Sequence, residues 1–186
     1  LPALLLTALG SIVLGMGLPT TAAYVVLAAL GAPALVQLGV PLLAAHMFIF
    51  YFGCISNVTP PVSLAAFAGA GIAGAPPMRT AFTAAMLAGA GFIVPFMFVY
   101  GPEILLIGTP LGIFHATVTA TVGVILLAAG AVGYSRRRLA VWERFLAVAG
   151  ALVLVYPGWT SDLIGLVLVT YIFFMKLDEA VPREAT

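Results

Sequence analysis

Charge is what this chain has least of. Only 7% of its 186 residues are Asp, Glu, Lys or Arg, against 63% hydrophobic; a soluble domain carries roughly 25% charged residues. No charged side chain precedes Arg79. A neutral stretch of that length leaves a water-soluble fold with no solvated face. In a bilayer it is expected, because ionisable groups there cost several kcal/mol. A net charge of +1 gives no electrostatic case for a nucleic-acid partner. The single cysteine, Cys54, excludes an internal disulfide and a Cys-rich zinc site. Catalytic signatures are also missing: no His/Glu metal spacing, no nucleophile elbow, no phosphate loop. Gly69-Ala70-Gly71 and Gly89-Ala90-Gly91 read as packing faces, not dinucleotide fingerprints. The chain is therefore expected to be an all-α polytopic membrane protein, embedded in lipid, with no catalytic residues and no enzyme activity. Leu1 is not an initiator Met, and residues 1–17 lack a basic n-region. The chain reads as the C-terminal portion of a longer polypeptide.

What is present is a series of apolar runs. A helix needs about 20 apolar residues to cross the hydrocarbon core. Residues 80–100 are long enough, with a kink expected at Pro95. Residues 110–133 are long enough, 139–156 nearly so, and 163–175 are short. The first 75 residues are equally apolar but punctuated. Runs at 3–14 and 22–30 flank Gly15-Met16-Gly17-Leu18-Pro19-Thr20-Thr21, and Gly31, Ala32 and Pro33 close the second. Residues 35–53 and 62–73 flank Cys54-Ile55-Ser56-Asn57-Val58-Thr59-Pro60-Pro61. Pro19, Pro60 and Pro61 each lack an N–H and clash with the preceding turn. Gly15 and Gly17 open backbone angles closed to other residues. The expectation is a re-entrant helical hairpin at 3–31 and a discontinuous membrane helix at 35–73, broken at 54–61.

The basic residues orient these segments. Arg79 on the cytoplasmic side puts Glu103 outside, returns Arg136, Arg137 and Arg138 to the cytoplasm, places residues 159–162 outside and brings Lys176 back in. The hairpin then opens outward. Residues 176–186 form a short mixed-charge tail.

Irregular backbone at bilayer depth survives only where it is buried in protein or lines a cavity. Two breaks between half-length helices match the pattern of secondary transporters. Polar residues gather at those breaks: Thr20 and Thr21 at one, Ser56, Asn57 and Thr59 at the other. The helices that begin near Thr20 and after Pro60 turn partial positive ends toward the breaks, which suits a carboxylate. Carbonyls freed by Pro19 and Pro60 are hard oxygen donors suited to Na⁺. A membrane scaffold or assembly subunit whose broken helices merely pack is the alternative; an intramembrane enzyme would need a catalytic pair from another segment. Thr117, Thr119 and Thr121 read as helix–helix hydrogen-bond partners. His46 reads as a packed, hydrogen-bonded side chain with a proton relay as the alternative, Cys54 as packing, and His115 receives no role. Trp142 and Trp159 read as interfacial residues, with Glu143 and Arg144 in the headgroup zone.

The stretch Gly15-Met16-Gly17-Leu18-Pro19-Thr20-Thr21-Ala22-Ala23-Tyr24, followed by Ser56-Asn57-Val58-Thr59-Pro60-Pro61-Val62, resembles the large membrane subunit of tripartite ATP-independent periplasmic (TRAP) transporters. The fused permeases that work with TAXI-type binding proteins are the most similar. The resemblance covers residues 1–108, as the second inverted repeat of the transport domain. Residues 109–186, with Arg137-Arg138-Leu139-Ala140-Val141-Trp142-Glu143-Arg144 and Tyr156-Pro157-Gly158-Trp159-Thr160-Ser161-Asp162, are similar to a C-terminal transmembrane extension of fused forms. It implies an elevator-type, ion-driven symporter in the bacterial inner membrane. A periplasmic protein would deliver small organic acids such as C4-dicarboxylates. The N-terminal remainder of the permease and a small membrane subunit region would be further partners. It also implies that Gly15, Gly17, Pro19, Thr20 and Thr21, with Ser56, Asn57, Thr59, Pro60 and Pro61, line the substrate and ion site, with Na⁺ or H⁺ as coupling ion and no other cofactor. Many members carry an acidic residue just before the Thr pair, where this chain has Pro19. With no carboxylate before Glu103, a cation here must use neutral oxygens or a carboxylate from the other half. His46 is then the one titratable candidate for proton coupling in the half-site.

Overall fold

The structure, a computed structural model, describes residues 1–135, 138–154 and 158–174. It is 80% helical. Among the described residues there is no strand, only an isolated bridge between Tyr134 and Arg138. The chain is an all-α polytopic membrane protein.

Helix α1 (Pro2–Gly15) and helix α2 (Thr20–Gln37) form the first pair. The expected closure of the second helix at 31–33 does not occur, and α2 runs through Pro33. Proline there removes one donor, a loss that membrane helices tolerate when their neighbours hold the backbone. Ala32 and Leu35, on either side of it, are buried in the core. A left-handed turn at Gly39 and then Pro41 lead into α3 (Leu42–Ile55), so the helix expected from residue 35 starts at Leu42. Its break is a 3-10 turn (Ser56–Val58) followed by non-helical residues 59–63, with a cis Pro60–Pro61 bond. Helix α4 (Leu64–Ala73) follows and ends on left-handed Gly74.

The segment expected to be one span at 80–100 is two helices, α5 (Pro77–Leu87) and α6 (Val94–Tyr100). A 3-10 turn at Gly89–Phe92 joins them, and the pair is bent by 62°. The bend is not at Pro95, which sits in the first turn of α6, where a missing N–H costs nothing. A Cβ on Gly91 would lie 2.8 Å from Ile55 Cδ1 and 3.4 Å from Tyr51 Cε1, so the bend rests directly on α3. Helices α7 (Pro110–Val132), α8 (Val141–Val153) and α9 (Trp159–Phe174) complete the chain. By length and composition α2 and α7 can each cross a membrane, and the bent pair is a third candidate.

Two apolar clusters hold the bundle. In the first, Leu4 and Ala8 of α1 and Leu27 and Leu35 of α2 close on Phe48, Ile49 and Phe52 of α3. Phe96 of α6 stands edge-on to Phe48 and Phe52 at centroid distances of 5.3 and 5.9 Å. The second joins α7 and α8 through Leu126, Ala147, Ala151 and Leu154, with Tyr171 of α9 packed against it. There the helices touch through glycines: a Cβ on Gly130 would lie 2.9 Å from Val148 Cγ2, and one on Gly150 2.5 Å from Leu168 Cδ1. Large apolar side chains such as Leu6, Leu9, Phe82, Phe114 and Phe145 point outward.

The α7–α8 turn departs from expectation. Glu143 is 1% exposed, and its carboxylate accepts the Ala140 N–H at 2.8 Å, securing the start of α8. Arg144 donates from Nε to Gly130 O at 3.0 Å and from a terminal nitrogen to Ala131 O at 2.9 Å, capping the last carbonyls of α7. Residues 159–162 belong to α9, not to a loop. Of the three threonines read as interhelical partners, Thr117 and Thr121 bond back to Ile113 O and Thr117 O, and only Thr119 reaches another helix. Trp142 lies 5.9 Å from Tyr171. Arg136, Arg137, Tyr156 and the tail from residue 175 lie outside the described residues, as does the Trp159 side chain.

Candidate functional site

The two breaks lie against each other. Gly15, the last residue of α1, rests on the end of α3: a Cβ there would stand 2.7 Å from Ser56 Oγ and 3.3 Å from Gly53 O. Gly17, at φ 77°, turns the tip, and a Cβ on it would be 3.7 Å from Val62 Cγ1 within the second break. No larger residue fits at 15 without moving Ser56, and φ at 17 is open mainly to glycine. The structure thus brings Gly15 to Ser56 and Gly17 to Val62. Pro19 leads directly into α2, and Thr20 and Thr21 occupy its first turn, exposed.

Each break leaves particular atoms open. The Ser56 hydroxyl donates to Gly53 O at 2.6 Å and the Thr59 hydroxyl to Ile55 O at 2.8 Å. Both protons are turned back into the helix, so these oxygens present lone pairs, which suit a cation. Ser56 is fully buried and Thr59 partly so. The Asn57 side chain, also partly buried, makes no hydrogen bond among the described residues, and neither do the Thr20 and Thr21 hydroxyls. No side chain caps the start of α2 or α4. The first N–H groups of both helices remain donors with a partial positive field. No charged side chain takes part. Pro60 is partly buried and Pro61 exposed.

One residue was missed. Ser63, at the N-cap of α4, is fully buried, and its hydroxyl has no partner. Serine is a preferred N-cap residue, so its place two residues beyond Pro61 at the start of an apolar run was a usable signal. A cavity of about 370 Å³ lies against the second break, lined by Phe50, Tyr51, Cys54, Ile55, Val58 and Gly91. None of the expected ligand residues lines it. His46 is bonded from Nδ1 to Tyr24 OH at 2.9 Å, between α2 and α3. It lies roughly 15 Å along α3 from the break.

A membrane-embedded helical bundle interrupted at two touching, uncharged, polar turns has the architecture of a membrane transport protein. Residues 1–113 match the family model described as Tripartite ATP-independent periplasmic transporter, DctM component. The chain belongs to this family and is a permease component of a TRAP transporter. The family implies a tripartite system with a periplasmic binding protein and a small membrane subunit. No curated protein matches the chain, and no solved structure does.

Proposed function

We propose that this chain is the substrate-translocating portion of a secondary active importer of small organic acids in the bacterial inner membrane. A periplasmic binding protein delivers the acid, and the N-terminal remainder of the permease and a small membrane subunit region complete the machine. The observation that carries this reading is the direct packing of the two breaks at Gly15 and Ser56, which gathers open helix starts and proton-inverted hydroxyls in one place. The carboxylate of the substrate is met by the uncapped N–H groups of α2 and α4 and by the hydroxyls of Thr20 and Thr21. The coupling cation is met by lone pairs on Ser56 and Thr59, by the amide oxygen of Asn57 and by backbone carbonyls at the tip.

That donor set is all oxygen and uncharged, which favours Na⁺ over H⁺. His46 is already bonded to Tyr24, roughly 15 Å along α3 from the second break. As the outward-opening hairpin and the broken helix move together, the loaded site passes from one side to the other in an elevator motion.

The test is uptake into proteoliposomes by the complete permease with its binding protein, under Na⁺ and H⁺ gradients imposed separately. Uptake is expected to follow the Na⁺ gradient. Asn57→Ala and Thr59→Ala are expected to lower it while membrane insertion is retained. Normal uptake by both variants would remove these residues from the site, and uptake driven by H⁺ alone would remove Na⁺.

A further inference from the structure

Outside the region matched by the family model, a second polar cluster joins α7 to α9. Asp162, in the first turn of α9, accepts the Thr119 hydroxyl on Oδ1 at 2.9 Å, and its Oδ2 lies against His115 Nε2. His115 and Thr119 are four residues apart and so share one face of α7. The cluster lines a groove of about 310 Å³ whose remaining walls are apolar, including Val118, Val122, Leu154 and Leu163. Val118 and Leu163 are 47% and 64% exposed, so the apolar side of the groove lies open on the outside of the bundle.

Depth and charge both restrict what can enter. His115 is roughly 7.5 Å beyond the start of α7 and Asp162 roughly 4.5 Å beyond the start of α9, so both lie near one end of these helices. The one charged side chain between Arg79 and Arg136 is Glu103, and the one between Arg144 and Lys176 is Asp162. The Glu103 side chain is close to Gly112 in the first turn of α7, at the same end. Two carboxylates therefore mark that end, with His115 beside Asp162. A carboxylate has about four acceptor positions; Asp162 accepts one hydrogen bond, from Thr119, and among the described residues its buried Oδ2 has the contact with His115 but no hydrogen bond.

We propose that this groove binds a phospholipid with a primary ammonium headgroup. The ammonium donates to Asp162, and the upper part of an acyl chain lies along Val118, Val122 and Leu163. By the distribution of basic residues the lipid belongs to the outer leaflet. A purely internal clamp of α9 on α7 would not need the open apolar wall.

Native mass spectrometry of the complete permease tests this with four lipids: phosphatidylethanolamine, its mono- and dimethylated forms, and phosphatidylcholine, with phosphatidylglycerol as the anionic control. Retention is expected to fall stepwise as N–H donors are lost, to about tenfold weaker for phosphatidylcholine, with phosphatidylglycerol weaker still. Asp162→Asn, which keeps the shape of the side chain, is expected to abolish the order of preference. Equal retention of all the lipids by the wild-type protein overturns the proposal, and so does an Asp162→Asn protein that keeps the preference. If that variant does not fold, the methylation series on the wild-type protein decides alone.

Discussion

Replacing Gly15 by alanine puts one methyl group into the seam between the two breaks. It would lie 2.7 Å from Ser56 Oγ and 3.2 Å from Ser56 Cβ. The hydroxyl is tied to Gly53 O at 2.6 Å, so it cannot swing aside without losing that bond, about 1 kcal/mol. Forcing α1 away from α3 instead incurs an overpacking cost of about 1–3 kcal/mol. Alanine is a better helix former than glycine by about 1 kcal/mol, which offsets part of this at the last residue of α1. The net expectation is a loss of about 0.5–2 kcal/mol, read as a lower melting temperature of the purified complete permease, together with reduced uptake. Ser56→Gly removes both close atoms, so the double variant should recover most of the loss, with a coupling of about 1–2 kcal/mol. A Gly15→Ala protein that melts like the wild type, or strictly additive effects in the double variant, would refute the claim that the breaks are packed on each other.

Ser63→Ala removes a buried hydroxyl without a partner. Stability should be unchanged or higher by about 1 kcal/mol, while the KM for uptake rises; an unchanged KM excludes Ser63 from the site. Arg144→Lys loses the paired bonds to Gly130 O and Ala131 O, because an ammonium cannot reproduce the planar fork. A thermal shift corresponding to about 1–2 kcal/mol is expected, and a melting curve equal to wild type would show that the cap does not hold α7 to α8.

The breaks at 16–19 and 59–63 were legible because their causes are local. Pro19, Pro60 and Pro61 each remove a donor, and Gly17 supplies the left-handed turn. Pro33 shows the limit of that reasoning, since the same chemistry in the middle of α2 is overridden by the burial of Ala32 and Leu35. The 62° bend between α5 and α6 has no proline at its centre. It depends on Gly91 meeting Ile55, a contact between residues far apart in sequence. For the same reason the pairing of His115 with Asp162 was not legible. Glu143 and Arg144 were read as facing lipid headgroups because each can be solvated there; the turn before α8 instead directs one to an N–H and the other to carbonyls. Within the candidate site the sequence supplied the residue types, but not the direction of the Ser56 and Thr59 protons, which is set by the carbonyls one turn earlier.

A site built without a single ionised side chain has a consequence for its energetics in an electric field. On the proposed reading, this half contributes no formal charge to the empty site. When the site is loaded, any charge this half moves is that of its cargo. One monovalent cation with one monocarboxylate crosses as a neutral pair, and each cation beyond that ratio couples the step to the membrane potential by about 2.3 kcal/mol per 100 mV. On that reading no residue of this half sets whether the cycle is electrogenic; the stoichiometry of the transported species and any charge of the other half do.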